Sequence, residues 1–167
     1  HLAISACALT EAKLSRVIFL PTGNPPHKRP EGLEDAEHRF EMTRLATIRE
    51  PRYTVSRMEL DRPGVIYTVD TLTRLHKQMP DAEFFYLIGE DTLLDLPNWR
   101  TPDKVFTLCT FLVCRRSTAD ASDHPLVAEL MSRGAKFLDL SLAPETVSAT
   151  AIREGLARGE CPAELPL

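Results

Sequence analysis

The sequence predicts an α/β fold, doubly wound around a mainly parallel sheet. Two observations lead there: short apolar runs alternate with amphipathic stretches along the whole chain, and the loops richest in Gly, Pro and polar residues fall directly after the apolar runs. The length of 167 residues suits one domain with one core, so residues 1–167 are expected to form a single unit.

Val17-Ile18-Phe19-Leu20, Glu83 to Ile88, Phe111 to Cys114 and Lys136 to Leu140 read as strands, with Tyr53 to Ser56 as a further candidate. Between them, Met42, Leu45 and Ala46 fall on one helical face, as do Val69, Leu72, Leu75 and His76. Leu126, Val127 and Leu130 predict a third helix. Ala151, Ile152, Leu156 and Ala157 predict a fourth that opens near Ser148, a good N-cap residue. Residues 21–32, 61–64 and 116–125 read as loops. With right-handed crossovers, the carboxyl ends of the strands share one edge, where open α/β sheets bind ligands.

Composition narrows the function. Hydrophobic residues make up 43% and charged residues 26%, and no apolar run approaches the roughly 20 residues of a membrane-spanning helix. A net charge of −4 argues against broad binding to nucleic acid or anionic lipid, while leaving room for a local basic pocket. Cys7, Cys109, Cys114 and Cys161 lack both C-x-x-C spacing and the density of a disulfide scaffold, so reduced thiols in a cytoplasmic protein are expected. The five histidines lack the paired spacing of a zinc site, and no metal-ligating residues are predicted. The chain opens on His1 without a Met or a charged and apolar leader, so a missing upstream segment is expected.

Several loop segments could carry chemistry. Leu20 to Arg29 combines rigid prolines, Gly23 and the cationic or proton-carrying His27, Lys28 and Arg29, which suits phosphate or carboxylate capture; a solvated surface loop has the same composition. Val147 to Arg153 opens a helix, where free amides and the positive helix end favour anions, with Ser148, Thr150 and Arg153 as extra donors; a plain capped helix reads the same way. Gly89 followed by Asp91 at a strand end would let a carboxylate reach a ribose hydroxyl, or Asp91 would N-cap the next helix. Trp99, the only tryptophan, could stack on an aromatic ligand or pack over the sheet, and Tyr67-Thr68 could present amides to a carboxylate or simply start a helix.

Taken in order, His1-Leu2, Pro25-Pro26-His27-Lys28, Tyr67 to Leu72, Ile88 to Asp91, Pro97-Asn98-Trp99, Val113 to Arg116 and Ser148 to Arg153 resemble bacterial nicotinate-mononucleotide adenylyltransferases. The resemblance implies a Rossmann-like nucleotidyltransferase fold and transfer of the adenylyl group of ATP to nicotinate mononucleotide, with Mg2+ carried by ATP. The products would be deamido-NAD and pyrophosphate. It implies that His1 is the second histidine of the H-x-G-H signature, stabilising charge on the reacting phosphates. It assigns Ser148, Thr150 and Arg153 to phosphate, His27 and Lys28 to a phosphate loop, and Gly89 and Asp91 to the adenosine side. Thr22, Gly23, Asn24, Tyr67, Thr68 and Trp99 would bind the acceptor. The family's first strand and first signature histidine would lie before residue 1, and its last helix beyond residue 167. Neighbouring readings are a nucleotidyltransferase with another phosphorylated acceptor and a nucleotide-binding module without catalysis; a homo-oligomer is compatible with any of them.

Overall fold

A computed structural model describes residues 1–23, 35–114, 125–141, 155 and 158–160. In chain order the elements are α1 (Leu2–Glu11), β1 (Val17–Phe19), α2 (Ala36–Thr47), β2 (Tyr53–Val55), α3 (Thr68–Gln78), β3 (Phe85–Gly89), α4 (Glu90–Asp95), a 3-10 turn (Leu96–Asn98), α5 (Pro102–Leu108), β4 (Thr110–Cys114), α6 (Pro125–Ser132) and β5 (Phe137–Leu140).

Every strand pair among the described residues is parallel. β1 pairs with β2, and β3, β4 and β5 form a second group in that order. Ile18 and Leu20, in and beside β1, pack against the same core as Ile88 and Phe111, so the two groups share an interior. The strand side chains alternate between two faces, as the period of two requires. Ile88, Phe111 and Val113 join Leu72 and Leu75 of α3, Val105 and Phe106 of α5 and Leu130 of α6 on one face. Leu112 and Leu140 meet Ala8 of α1 on the other. Helices on both faces of a parallel sheet are what the sequence predicts, and parallel strands covered on both sides read as continuous apolar runs.

The predicted strands all form, with ends displaced by up to two residues: β3 covers Phe85–Gly89, whereas the apolar run starts at Glu83. α3 is the clearest helix, burying Val69, Leu72 and Leu75 on one side. α2 forms where expected but faces the other way. Met42 and Leu45 are 64% and 61% exposed, and the buried residue is Thr47. Phe40 and Thr47 line one groove with Tyr53 and Val55 of the short β2, so that side of the helix faces the strand. The predicted helix opening near Ser148 and residues 116–124 of the predicted loop 116–125 lie outside the described residues, while Pro125 belongs to α6.

Candidate active site

β3 ends at Gly89, in register with Cys114 of β4, and hands over directly to α4. Gly89 is the N-cap of α4, which has no side-chain capping bond; the alternative in which Asp91 caps this helix is therefore overturned. Asp91 stands instead in the first turn, exposed, and bends back over Gly89: a Cβ at Gly89 would lie 2.6 Å from its Oδ1. Two acids, Glu90 and Asp91, in the first turn suit the positive end of the helix. The glycine leaves Asp91 free to occupy the strand end.

A second group gathers around the start of α3. Tyr67 is the N-cap and Thr68 the first helical residue. The amides of Asp70 and Thr71 both donate to the Tyr67 carbonyl, while those of Thr68 and Val69 have no partner within the helix by its geometry. Burial raises the Tyr86 phenol above its ordinary range, while the Thr68 side chain beside it pulls it down. Trp99 meets the same Tyr86 ring edge-on at 5.7 Å between centroids and Phe111 at 6.3 Å. The indole is therefore half-buried over the sheet, as its packing reading expects, and edge-on contacts of this kind hold an aromatic ring in place. The neighbouring Arg100 places its guanidinium 4.5 Å from the Tyr67 ring centroid. Thr101 then turns the chain into α5 with a left-handed φ of 49°, an uncommon conformation for a β-branched residue.

The loop after β1 approaches this group. Arg39 of α2 donates to the Thr22 hydroxyl at 3.2 Å and to the Gly23 carbonyl at 3.3 Å. A Cβ on Gly23 would lie 2.5 Å from the carbonyl oxygen of Glu59, so the chain passes there only because residue 23 has no side chain. Glu59 in turn accepts a 2.8 Å hydrogen bond from Thr71, three residues past Thr68 on α3. The described candidates Thr22, Gly23, Tyr67, Thr68 and Trp99 are thereby linked through Arg39, Glu59, Thr71, Tyr86 and Arg100, none of which the sequence assigns to the site, although Thr71 lies within the Tyr67 to Leu72 motif. Arg100 could have been found as the neighbour of Trp99. Arg39, Glu59 and Tyr86 carry no local signal.

His1 is exposed at the N-cap of α1, and its carbonyl accepts the Ser5 amide at 2.9 Å. Asn24, His27, Lys28, Ser148, Thr150 and Arg153 lie outside the described residues. Among the described residues no group of three or more His, Cys, Asp or Glu converges to hold a metal, and Cys7, Cys109 and Cys114 form no disulfide with one another. A groove of about 270 Å3 between α2 and β2, lined by residues such as Phe40, Arg44 and Tyr53, shares none of the candidate residues.

Parallel strands, helices on both faces and candidate groups at strand ends and helix starts are features of nucleotide-handling α/β proteins. Two solved structures share this fold: Plasmodium falciparum nicotinic acid mononucleotide adenylyltransferase complexed with APC, with TM-score 0.67 at 14% identity over 93% of this chain and 75% of that one, and the same enzyme complexed with NaAD, with TM-score 0.66 at 14% identity over 96% and 77%. The cytidylyltransferase-like family model matches residues 1–155. A probable nicotinate-nucleotide adenylyltransferase of Shouchella clausii is 39% identical over 160 residues, covering 96% of this chain and 78% of the relative. One of Thermomicrobium roseum is 34% identical over 159 residues, covering 95% and 74%. The chain belongs to the nicotinate-nucleotide adenylyltransferase family.

Proposed function

We propose that this protein transfers the adenylyl group of ATP to nicotinate mononucleotide, forming deamido-NAD and pyrophosphate as a step of NAD biosynthesis. The observation that carries the acceptor side is that one residue, Tyr86, stands with its phenol beside Thr68 at the opening of α3 and its ring edge-on to the indole of Trp99. A helix start is suited to a carboxylate, and a fixed aromatic plane is suited to a pyridine ring. Nicotinate mononucleotide offers both.

In this reading an acceptor phosphate oxygen attacks the α-phosphorus of ATP in line; the new P–O bond forms as the bond to the β-phosphate bridging oxygen breaks, and pyrophosphate leaves with that electron pair. The protein's contribution is alignment and charge stabilisation, with no covalent intermediate. His1, Ser148, Thr150 and Arg153 are assigned to the triphosphate, and His27 and Lys28 to the loop over it. Gly89 and Asp91 take the adenosine side. Thr22, Gly23, Asn24, Tyr67, Thr68 and Trp99 line the acceptor pocket. Mg2+ carried by ATP would supply neutralising charge on the phosphates. Residues 1–167 act as one domain, and the cytoplasm is the compartment in which ATP and this acceptor would meet.

Pyrophosphate release from ATP and nicotinate mononucleotide tests the reading. Arg153→Ala should lower kcat by about a hundredfold, as for loss of one charge-stabilising donor, and Trp99→Ala should raise the acceptor KM by about tenfold through lost stacking. Unaltered kinetics in both variants would remove the site assignment. A panel of other phosphorylated acceptors separates this reaction from a related transfer: turnover with a different acceptor at a higher kcat/KM would replace nicotinate mononucleotide as substrate.

A further inference from the structure

Behind the acceptor group lies a carboxyl that the proposed reaction does not use. Glu59 occupies the turn after β2, half-buried, and its Oε1 accepts the 2.8 Å hydrogen bond from Thr71. Thr71 is only 1% exposed and lies within the first turn of the helix that begins at Thr68. The main-chain carbonyl of Glu59 meets the other wall, where a Cβ on Gly23 would come within 2.5 Å of its oxygen. One residue thus touches the helix start with its side chain and the Thr22-Gly23 turn with its backbone.

A glutamate in such a place is an expensive way to build a turn. Burying a carboxyl costs free energy unless its oxygens are well satisfied, and glutamate is among the residues least often found inside. Burial pushes the Glu59 carboxyl above the usual carboxylate range, although the Thr71 hydrogen bond and the Arg62 cation both pull it down. An exposed turn would tolerate many smaller residues there without that cost.

We propose that Glu59 is a positioning residue of the acceptor pocket, holding the Thr22-Gly23 turn and the start of α3 at the separation that fits the carboxylate-bearing ring of the acceptor. The inference rests on the functional reading above, and Glu59 itself touches no substrate. Displacements of about 1 Å in groups that orient a substrate are enough to change rates by about a hundredfold, and binding groups keep their geometry only when a supporting layer holds them.

Steady-state kinetics on the full chain, with ATP and nicotinate mononucleotide varied separately, test this. Glu59→Ala should raise the acceptor KM about tenfold, with a smaller fall in kcat and an ATP KM within about twofold of the parent. Glu59→Gln keeps an oxygen for the Thr71 hydroxyl and should leave the acceptor KM within about twofold of the parent. Thr71→Val removes the donor and should move the acceptor KM in the same direction as Glu59→Ala; the two combined should add nothing further. If Glu59→Ala fails to fold in a thermal scan, Glu59→Gln and Thr71→Val decide the matter. An unmoved acceptor KM in Thr71→Val, a Glu59→Gln as impaired as Glu59→Ala, or equal rises in both KM values would overturn the proposal. A parent chain that forms no pyrophosphate from this substrate pair sinks the functional reading and this inference with it; a parent that turns over normally while the acceptor KM stays fixed sinks the inference alone.

Discussion

Gly23 and Gly89 are both crowded, and what crowds them differs. At Gly23 the obstacle is backbone, the Glu59 carbonyl oxygen 2.5 Å from where a methyl carbon would stand, and it cannot swing aside. Gly23→Ala should therefore lower stability by about 1–3 kcal/mol, the usual range for overpacking, seen as a fall in the urea midpoint. At Gly89 the obstacle is the end of the Asp91 side chain at 2.6 Å, and φ is an ordinary −86°. Gly89→Ala should cost no more than about 1 kcal/mol, because the carboxylate can rotate away. If Asp91 binds the ribose as proposed, its displacement should raise the ATP KM while stability holds. A Gly89→Ala variant with normal ATP KM would argue against Asp91 as the ribose partner. At Trp99, the edge contacts with Tyr86 and Phe111 that bury half its indole also fix the plane of the ring.

At the scale of elements, periodicity located helices better than it oriented them. α2 and α6 both carry apolar residues at helical spacing, yet Leu45 is 61% exposed and Leu130 0%. Leu130→Ala should cost about 2–5 kcal/mol as a core truncation, whereas Leu45→Ala should fall within about 0.5 kcal/mol of the parent; equilibrium unfolding in urea measures both. Two helices escaped the sequence reading altogether. α1, Leu2–Glu11, is made largely of small and apolar residues and has no polar face to set a period. α5 has seven residues opening on Pro102, too few for a repeat to register. The strands were legible because β4 is an unbroken apolar run whose three central residues are buried.

Across the whole molecule, two groups of acids pull stability in opposite directions as pH changes. Hydrogen bonds from the Arg52 side chain and backbone hold Glu50 down at about 2, from an ordinary 4.5. The Arg57 guanidinium holds Glu37 below its usual range in the same way. A depressed acid contributes stability that is present above its unfolded value and is lost as pH falls through the folded one, so the Glu50 contribution should fade between about 4.5 and about 2. Glu59 runs the other way: its raised folded value favours the native state in acid and loses that advantage as pH climbs above 4.5. Glu59→Gln should accordingly raise the urea midpoint at neutral pH, with the gain shrinking toward pH 4, and Glu50→Gln should flatten the acid limb. Identical pH profiles for parent and variants would contradict both assignments. No helix of the described residues is long and apolar enough to cross a membrane.

The order of strands and helices, the parallel fold class and the family motifs were set within the sequence, because propensity, periodicity and turn chemistry act over a few neighbouring residues. Gly89, Thr68 and Trp99 could be singled out for that reason, each standing at an element boundary with its own local signature. Only the tertiary structure decided which of these residues meet. Tyr86 between Thr68 and Trp99, the Glu59 carbonyl over Gly23, and Glu59 against Thr71 are contacts between segments far enough apart that no spacing announces them. Such contacts arise from packing, where the side that a helix buries depends on what the neighbouring strand offers it. The inward side of α2 and the contact of Glu59 with Thr71 were both decided there.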